Sequence, residues 1–246
     1  MSDQIIKYWE EQLPVFSKIK ALGFNRYINT LPDFSRAFML KDNCLRCIDE
    51  GTPGGIRLAG SGILLSENEA ISVLKNAAVD GIYSHEECGA AKLYAKENNL
   101  DPNQADKYGQ DWAKKLAKKF NIGYKGFLKI TEMARPSGFH IARVAYYDGT
   151  GKFNPDEVKG LPSGFVISRR YLNREYALKE MGIAISIALS DHGFGELITP
   201  AEPFFLVPIG DLNDSKMSLE ELTKELQPLT EKYQKRVIID GFAATI

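Results

Sequence analysis

Apolar positions along this chain alternate between a helical spacing of three or four and short continuous runs, which predicts helices alternating with buried strands. Residues 3–21 place Ile5, Ile6, Trp9, Leu13, Phe16 and Ile19 near helical spacing, and Pro14 is expected to break or kink that helix midway. The run Ala37-Phe38-Met39-Leu40 makes Ala37–Cys47 read as a strand. A helix is expected from Ser66 to Ala78, where Ser66 and Glu69 form a capping box ahead of a stripe of Ala70, Ile71, Val73, Leu74, Ala77 and Ala78. Val79–Tyr83 follows as a short strand. Helices are then expected over Gly89–Asn99 and over residues 103–120, the second with Ala105, Tyr108, Trp112, Leu116 and Phe120 on one face. Its other face carries Lys114, Lys115, Lys118 and Lys119, the pattern of a solvated surface.

Beyond residue 155 the pattern changes. Gly160-Leu161-Pro162-Ser163-Gly164 reads as a linker, followed by strand (Phe165–Ser168), helix (Asn173–Leu189), strand (Pro203–Pro208), helix (Ser218–Lys235) and strand (Arg236–Ile239). Asn173 caps the first of these helices; Ser218 with Glu221 opens the second, with Leu219, Leu222, Leu226, Leu229 and Tyr233 as its stripe. The expected class is α/β, a central, mostly parallel sheet flanked by helices. The expected organisation is a helical arm (residues 1–35), a core (36–159) and a C-terminal α/β segment (160–246) that forms its own small layer or extends the main sheet.

Charge narrows the choice of partners. The 246 residues carry 31 basic and 32 acidic side chains, a net charge of −1 with pI near 6.3, and so no electrostatic footprint for nucleic acid or an anionic membrane. The start, Met1-Ser2-Asp3-Gln4, has no basic region ahead of an apolar one, and no run of about 18 apolar residues occurs. A cytoplasmic protein without membrane or nucleic-acid partners is the expectation.

Chemistry concentrates between Cys47 and Cys88, a stretch with two of the three cysteines and one of the three histidines. Strand, glycine-rich loop (Thr52–Gly62), helix and strand make a βαβ unit with its strands parallel, so Cys47 and His85 fall at strand carboxyl ends, where open α/β sheets place ligands. Cys88 falls in the first turn of the next helix, whose positive end favours a thiolate. Two thiolates and an imidazole fill three of the four positions around a zinc ion and leave one open, the layout of a catalytic site. The loop lacks both Gly-Lys-Ser/Thr and a well-spaced Gly-x-Gly-x-x-Gly, which argues against a phosphate cradle.

Cys47-x-Asp49, then Arg57-x-Ala59-Gly60, a helix and His85-x-x-Cys88-Gly89 resemble a β-class carbonic anhydrase, and Ile141–Lys152 is similar to that family's late core strand and the turn after it. The resemblance covers roughly residues 36–155. It implies zinc on Cys47, His85 and Cys88, Asp49 as the catalytic acceptor that orients a zinc-bound hydroxide, carbon dioxide and bicarbonate as substrates, and a homodimer or larger assembly in which the N-terminal helices cross to a second subunit. The family pattern Cys-x-Asp-x-Arg has an arginine that keeps the aspartate off the metal; here that position is Gly51. Asp49 is then free to become a fourth ligand and close the site, unless Arg46 or Arg57 takes the arginine's place. Three readings stay open: a carbonic anhydrase, a closed non-catalytic or regulated zinc site, and a hydrolase of carbonyl sulfide or carbon disulfide.

Cys44, three residues before Cys47, reads as a buried apolar filler or as half of a Cys-x-x-Cys redox pair. His140 opens the segment that resembles the late strand and reads as a packed histidine. His192, beside Asp191 in a glycine-rich turn after a helix, suits a helix C-terminus. No second Cys-x-Asp or His-x-x-Cys occurs after residue 160.

Overall fold

The computed structural model describes residues 3–246. Contacts gather the chain into two compact units: Leu40–Gly138, and Met1–Met39 together with Phe139–Ile246. The expected division at residues 35/36 and 159/160 therefore does not hold, because the N-terminal arm and residues 139–159 both belong with the C-terminal segment.

The arm opens with α1 (Asp3–Leu22), which runs through Pro14 as one helix. Pro14 is exposed, so its ring and the carbonyl it leaves without a partner face water and the helix is not broken. Ile5, Trp9, Phe16 and Ile19 form its buried face, and a short α2 (Phe24–Ile28) follows. Phe16, Ile19, Phe24, Tyr27 and Ile28 join Val144, Tyr146, Phe205, Val207 and Phe242 in one hydrophobic cluster, so the arm's apolar stripe is covered by the chain's own C-terminal half.

The expected strand over Ala37–Cys47 shrinks to β1 (Cys44–Arg46), and Phe34–Phe38 is a short 3₁₀ helix. Asp42 shapes this entry: its carboxylate accepts from the Cys44 amide (2.9 Å) and from Arg46 Nη1 and Nη2 (2.6 and 2.9 Å). Within Leu40–Gly138 the other elements are β2 (Ile56–Arg57), α3 (Glu67–Asn76), β3 (Gly81–His85), α4 (Gly89–Glu97), α5 (Ala105–Phe120) and β4 (Gly123–Leu128). All pairings are parallel and the order is β2-β1-β3-β4, so β1, α3 and β3 form the expected βαβ unit. Ser66 and Glu69 make the full capping box in front of α3. The buried face of α5 is Ala105, Gly109, Ala113, Leu116 and Ala117, one position round from the expected stripe, since Trp112 turns its indole N–H to the Ser61 carbonyl (3.2 Å).

The second unit holds β5 (Val144–Asp148), β6 (Phe165–Ile167), α6 (Arg174–Ala188), β7 (Phe204–Asp211), α7 (Leu219–Thr230), β8 (Val237–Ile239) and β9 (Phe242–Ala244). Its strands are also parallel, in the order β6-β5-β7-β8, with β9 pairing further along β7. The protein is thus α/β with parallel sheets, but they are two rather than one central sheet, and the segment resembling a late core strand is β5 of the second. The edge beside β7 is split into β8 and β9 where Pro208 has no N–H to offer the ladder; opposite it stands Gly241, at which a Cβ would lie 2.2 Å from the Pro208 carbonyl oxygen. No helix among the described residues is long and apolar enough to cross a membrane.

Candidate metal centre

β1 ends at Arg46 and the chain leaves the sheet at Cys47; His85 is the last residue of the neighbouring β3; Cys88 is the N-cap of α4. The side chains predicted as ligands are therefore brought together: one ligand atom from each of Cys47, His85 and Cys88 lies within 4.8 Å of the others, and all three residues are buried. His85 Nδ1 is 2.8 Å from the Glu86 carbonyl oxygen, a contact that assigns the Nδ1–H tautomer and leaves Nε2 as the donor atom. Nε2 is buried with no hydrogen-bond partner. An orphaned imidazole nitrogen beside two sulfurs is the donor set a borderline-soft cation such as Zn²⁺ takes, so the residues fit a metal.

The electrostatics agree. Burial pushes the Cys47 thiol up, but the hydrogen bond from Cys88 and the charge of His85 outweigh it and hold Cys47 well below the usual thiol range. Burial opposes charge on His85, yet the Cys47 thiolate, with help from Asp49, raises it to about 9. Cys88 is held well above the usual range by its bond to Cys47 and by burial. Metal binding at such a group is linked to proton release, because thiolate and neutral imidazole are the forms that ligate.

The glycine-rich loop closes over the sulfurs. Gly60 N–H donates to Cys47 Sγ at 3.2 Å. Gly60 has φ +55, and a Cβ there would lie 2.7 Å from Ile63 Cγ2 and 3.4 Å from Cys88 Sγ, so only glycine lets the backbone come this close. Ser61 Oγ donates to the Tyr83 carbonyl (2.6 Å), tying the loop to β3.

Asp49 is 3% exposed and Arg135 only 5%. Arg135 Nε donates to both carboxylate oxygens of Asp49, at 2.9 and 3.0 Å, and the Gly51 amide donates to Oδ1 at 2.9 Å. An arginine is thus brought to Asp49 from 86 positions further along the chain rather than from position 51. Gly51 is what admits it: a Cβ there would lie 2.7 Å from Arg135 Cγ and 3.1 Å from Met133 Cε. Neither substitute suggested by the sequence does this work. Arg46 pairs with Asp42 and stacks on Tyr83, its guanidinium carbon 4.4 Å from the ring centre, and Arg57 donates to the Asp49 backbone carbonyl (3.1 Å) and Thr52 Oγ1 (3.0 Å). Sequence reasoning missed Arg135; the trace it left was the glycine itself.

Cys44 is buried, donates to Asp80 Oδ1 at 3.4 Å and is pushed up to about 12, chiefly by burial, which fits the inert filler. His140 is buried with its ring 5.5 Å from that of Phe165, and its amide donates to the carbonyl of His192, an exposed residue. Neither belongs to the Cys47–His85–Cys88 group. Compared with protein-family models, curated proteins and solved structures, the chain matches none.

Proposed function

We propose that Cys47, His85 and Cys88 hold a zinc ion and that the chain hydrates a small linear carbonyl compound, carbon dioxide before others, in the manner of a β-class carbonic anhydrase. The observation that carries this reading is the conjunction, in one buried pocket, of an orphaned His85 Nε2 beside two cysteines with an aspartate two residues from Cys47 whose carboxylate is held by an arginine. A zinc ion on these ligands would supply Lewis acidity, bringing the pKa of a bound water to about 7.

The chain's own residues do the rest. Arg135 holds the Asp49 carboxylate from one side and Gly51 N–H from another, which fixes an acceptor two residues from Cys47 that would orient a hydroxyl group at the metal's fourth position. The His85 Nδ1 contact to Glu86 fixes the imidazole ring. Ile63 and Ala90 are buried and, with Cys88 Sγ, crowd the Gly60 backbone, an apolar surround that would strengthen each of these interactions. The Arg135–Asp49 pair supports an open fourth position over a closed site.

The test combines metal analysis with stopped-flow hydration of carbon dioxide. About one zinc per chain, with hydration well above the uncatalysed rate and lost in Asp49→Ala, is expected. A zinc-loaded protein with no hydration of carbon dioxide, but with turnover of carbonyl sulfide, would move the proposal to the hydrolase; no turnover of either would end it.

A further inference from the structure

Building on that reading, we propose that Glu87 is a positioning residue for the metal's fourth coordination position, acting through Arg135. Glu87 lies between the ligands His85 and Cys88 without being one of them. Its backbone is left-handed, with φ +58 on a residue that ordinarily avoids the region, the kind of local strain that clusters at functional sites. The Asp106 carboxylate accepts from its amide at 3.0 Å and holds that turn.

What the strained turn achieves is a grip on the segment that follows β4. Glu87 Oε1 accepts from Ser137 Oγ at 2.5 Å, and Oε2 accepts from the Gly138 amide at 2.9 Å and Arg135 Nη1 at 3.4 Å. The neighbouring Glu86 accepts from the Ile130 amide at 2.9 Å, and the Ala134 amide donates to the Gly51 carbonyl at 3.0 Å. Residues 129–138 are thereby strapped across both ligand-bearing turns, with Arg135 pointing inward to Asp49. The Arg135 side chain is only 1% exposed, so water cannot choose its direction; its partners do, for it bonds the carboxylates of Asp49 and Glu87 and also feels the charge of buried Glu50.

Removing Glu87 takes away one of the two carboxylates hydrogen-bonded to Arg135 and deletes three bonds of the strap. Losing a partner to a buried charge is costly, and relief comes if the guanidinium withdraws toward solvent. Asp49, no longer gripped by the guanidinium, then stands two residues from Cys47 beside a cation with a vacant position. A carboxylate in that place binds the metal. The arginine of a turn-borne pair would keep its aspartate with no help from elsewhere; here an open position depends on a latch between the ligand turn and a distant strap.

Cobalt(II) in place of zinc in the full chain makes coordination visible by absorption, and thiocyanate reports whether the fourth position accepts an outside ligand. The wild type is expected to take about one cobalt per chain and to bind thiocyanate with a change in its d–d bands. Glu87→Ala and Arg135→Ala should keep the cobalt but bind thiocyanate about tenfold more weakly or worse, about the effect of one charge-assisted hydrogen bond. Adding Asp49→Ala to Glu87→Ala should restore the affinity, a recovery that general loosening of the fold does not produce. Ser137→Ala, which touches one strap contact and leaves the turn intact, should shift the affinity in the same direction by a smaller factor, and it serves if Glu87→Ala does not fold. Cobalt-loaded Glu87→Ala and Ser137→Ala that both bind thiocyanate as the wild type does overturn the inference, as does a weakened affinity that Asp49→Ala leaves unrestored. A wild type that takes up no cobalt or zinc overturns the metal reading itself, and this inference with it.

Discussion

The two units share one strand order and differ in what waits at the ends of their strands. Each sheet is parallel, with its first strand in sequence inside, the second on one edge and the third and fourth on the other side. In Leu40–Gly138 the carboxyl ends carry Cys47, His85 and Cys88, with His85 Nε2 left without a hydrogen-bond partner. In the other unit the same ends carry Tyr147, Asp148 and Asp211, and each is answered from within. Asp148 accepts from the Thr150 amide (2.8 Å), Thr150 Oγ1 (2.6 Å) and the Phe153 amide (3.1 Å); Tyr147 donates to Glu225, which Arg169 grips at 2.8 and 2.9 Å; Arg170 bonds Asp211 at 3.1 Å. Sheet order alone makes no site. The place to look for one is where a buried donor or acceptor stays unanswered, because a fold that satisfies every group there leaves nothing for a ligand to do.

The largest effect that sharpens this contrast is on metal content. Cys88→Ser should lose about two orders of magnitude or more in zinc affinity, as expected for a thiolate ligand, while Asp148→Asn should keep the wild-type content. Elemental analysis of both after dialysis decides it, and equal zinc in the two variants would remove the distinction between the strand ends. Next in size is stability without chemistry. Arg169→Met leaves the largely buried Glu225 carboxylate with the Tyr147 hydroxyl but without its guanidinium, and should cost about 3 kcal/mol in urea unfolding with zinc content unchanged.

Gly51→Arg tests the relocated pair. Sequence pattern alone recommends this change as a repair that raises activity. The structure predicts the reverse: the new side chain must displace Arg135 and Met133, at a cost of about 1–3 kcal/mol for overpacking, with hydration no faster than in the wild type. A folded, zinc-loaded Gly51→Arg protein that is faster would show that Arg135 does not do the arginine's work. The smallest effect is at Asp42, whose carboxyl the bond from Arg46 lowers to about 2 against an ordinary 3.8. A depressed carboxyl stabilises the fold above its unfolded pKa and loses that contribution as pH falls toward its folded one. Asp42→Asn should therefore melt slightly lower than the wild type at pH 6, by less than about 1 kcal/mol because Asp42 is partly exposed, and the gap should close by about pH 2.

Much of the candidate metal site was legible because its signals are local. Cys47, His85 and Cys88 lie at the two ends of one βαβ unit, and Ser66 with Glu69 announced the helix between them. Arg135 was not legible, since nothing in a one-dimensional pattern says that a residue 86 positions beyond Asp49 will reach back to its carboxylate. β4 escaped for a different reason: Gly123-Tyr124-Lys125-Gly126-Phe127-Leu128 is a half-exposed edge strand with two glycines and no continuous apolar run. The membership of β5 in a second sheet is a matter of pairing with Phe165–Ile167 and Phe204–Asp211, and strand periodicity is the same whichever partner is chosen.

The amide of Gly60 bears on the strength of the centre as well as on its shape. An N–H aimed at Cys47 Sγ draws electron density from the thiolate, so a cation held there receives less charge from that sulfur and keeps more of its own Lewis acidity. Thiolates without such bonds would quench a zinc ion more than thiolates that accept them. The donor is backbone, so no exchange of side chains elsewhere in the loop removes it; the tuning resides in a left-handed turn, and it is lost when that turn is.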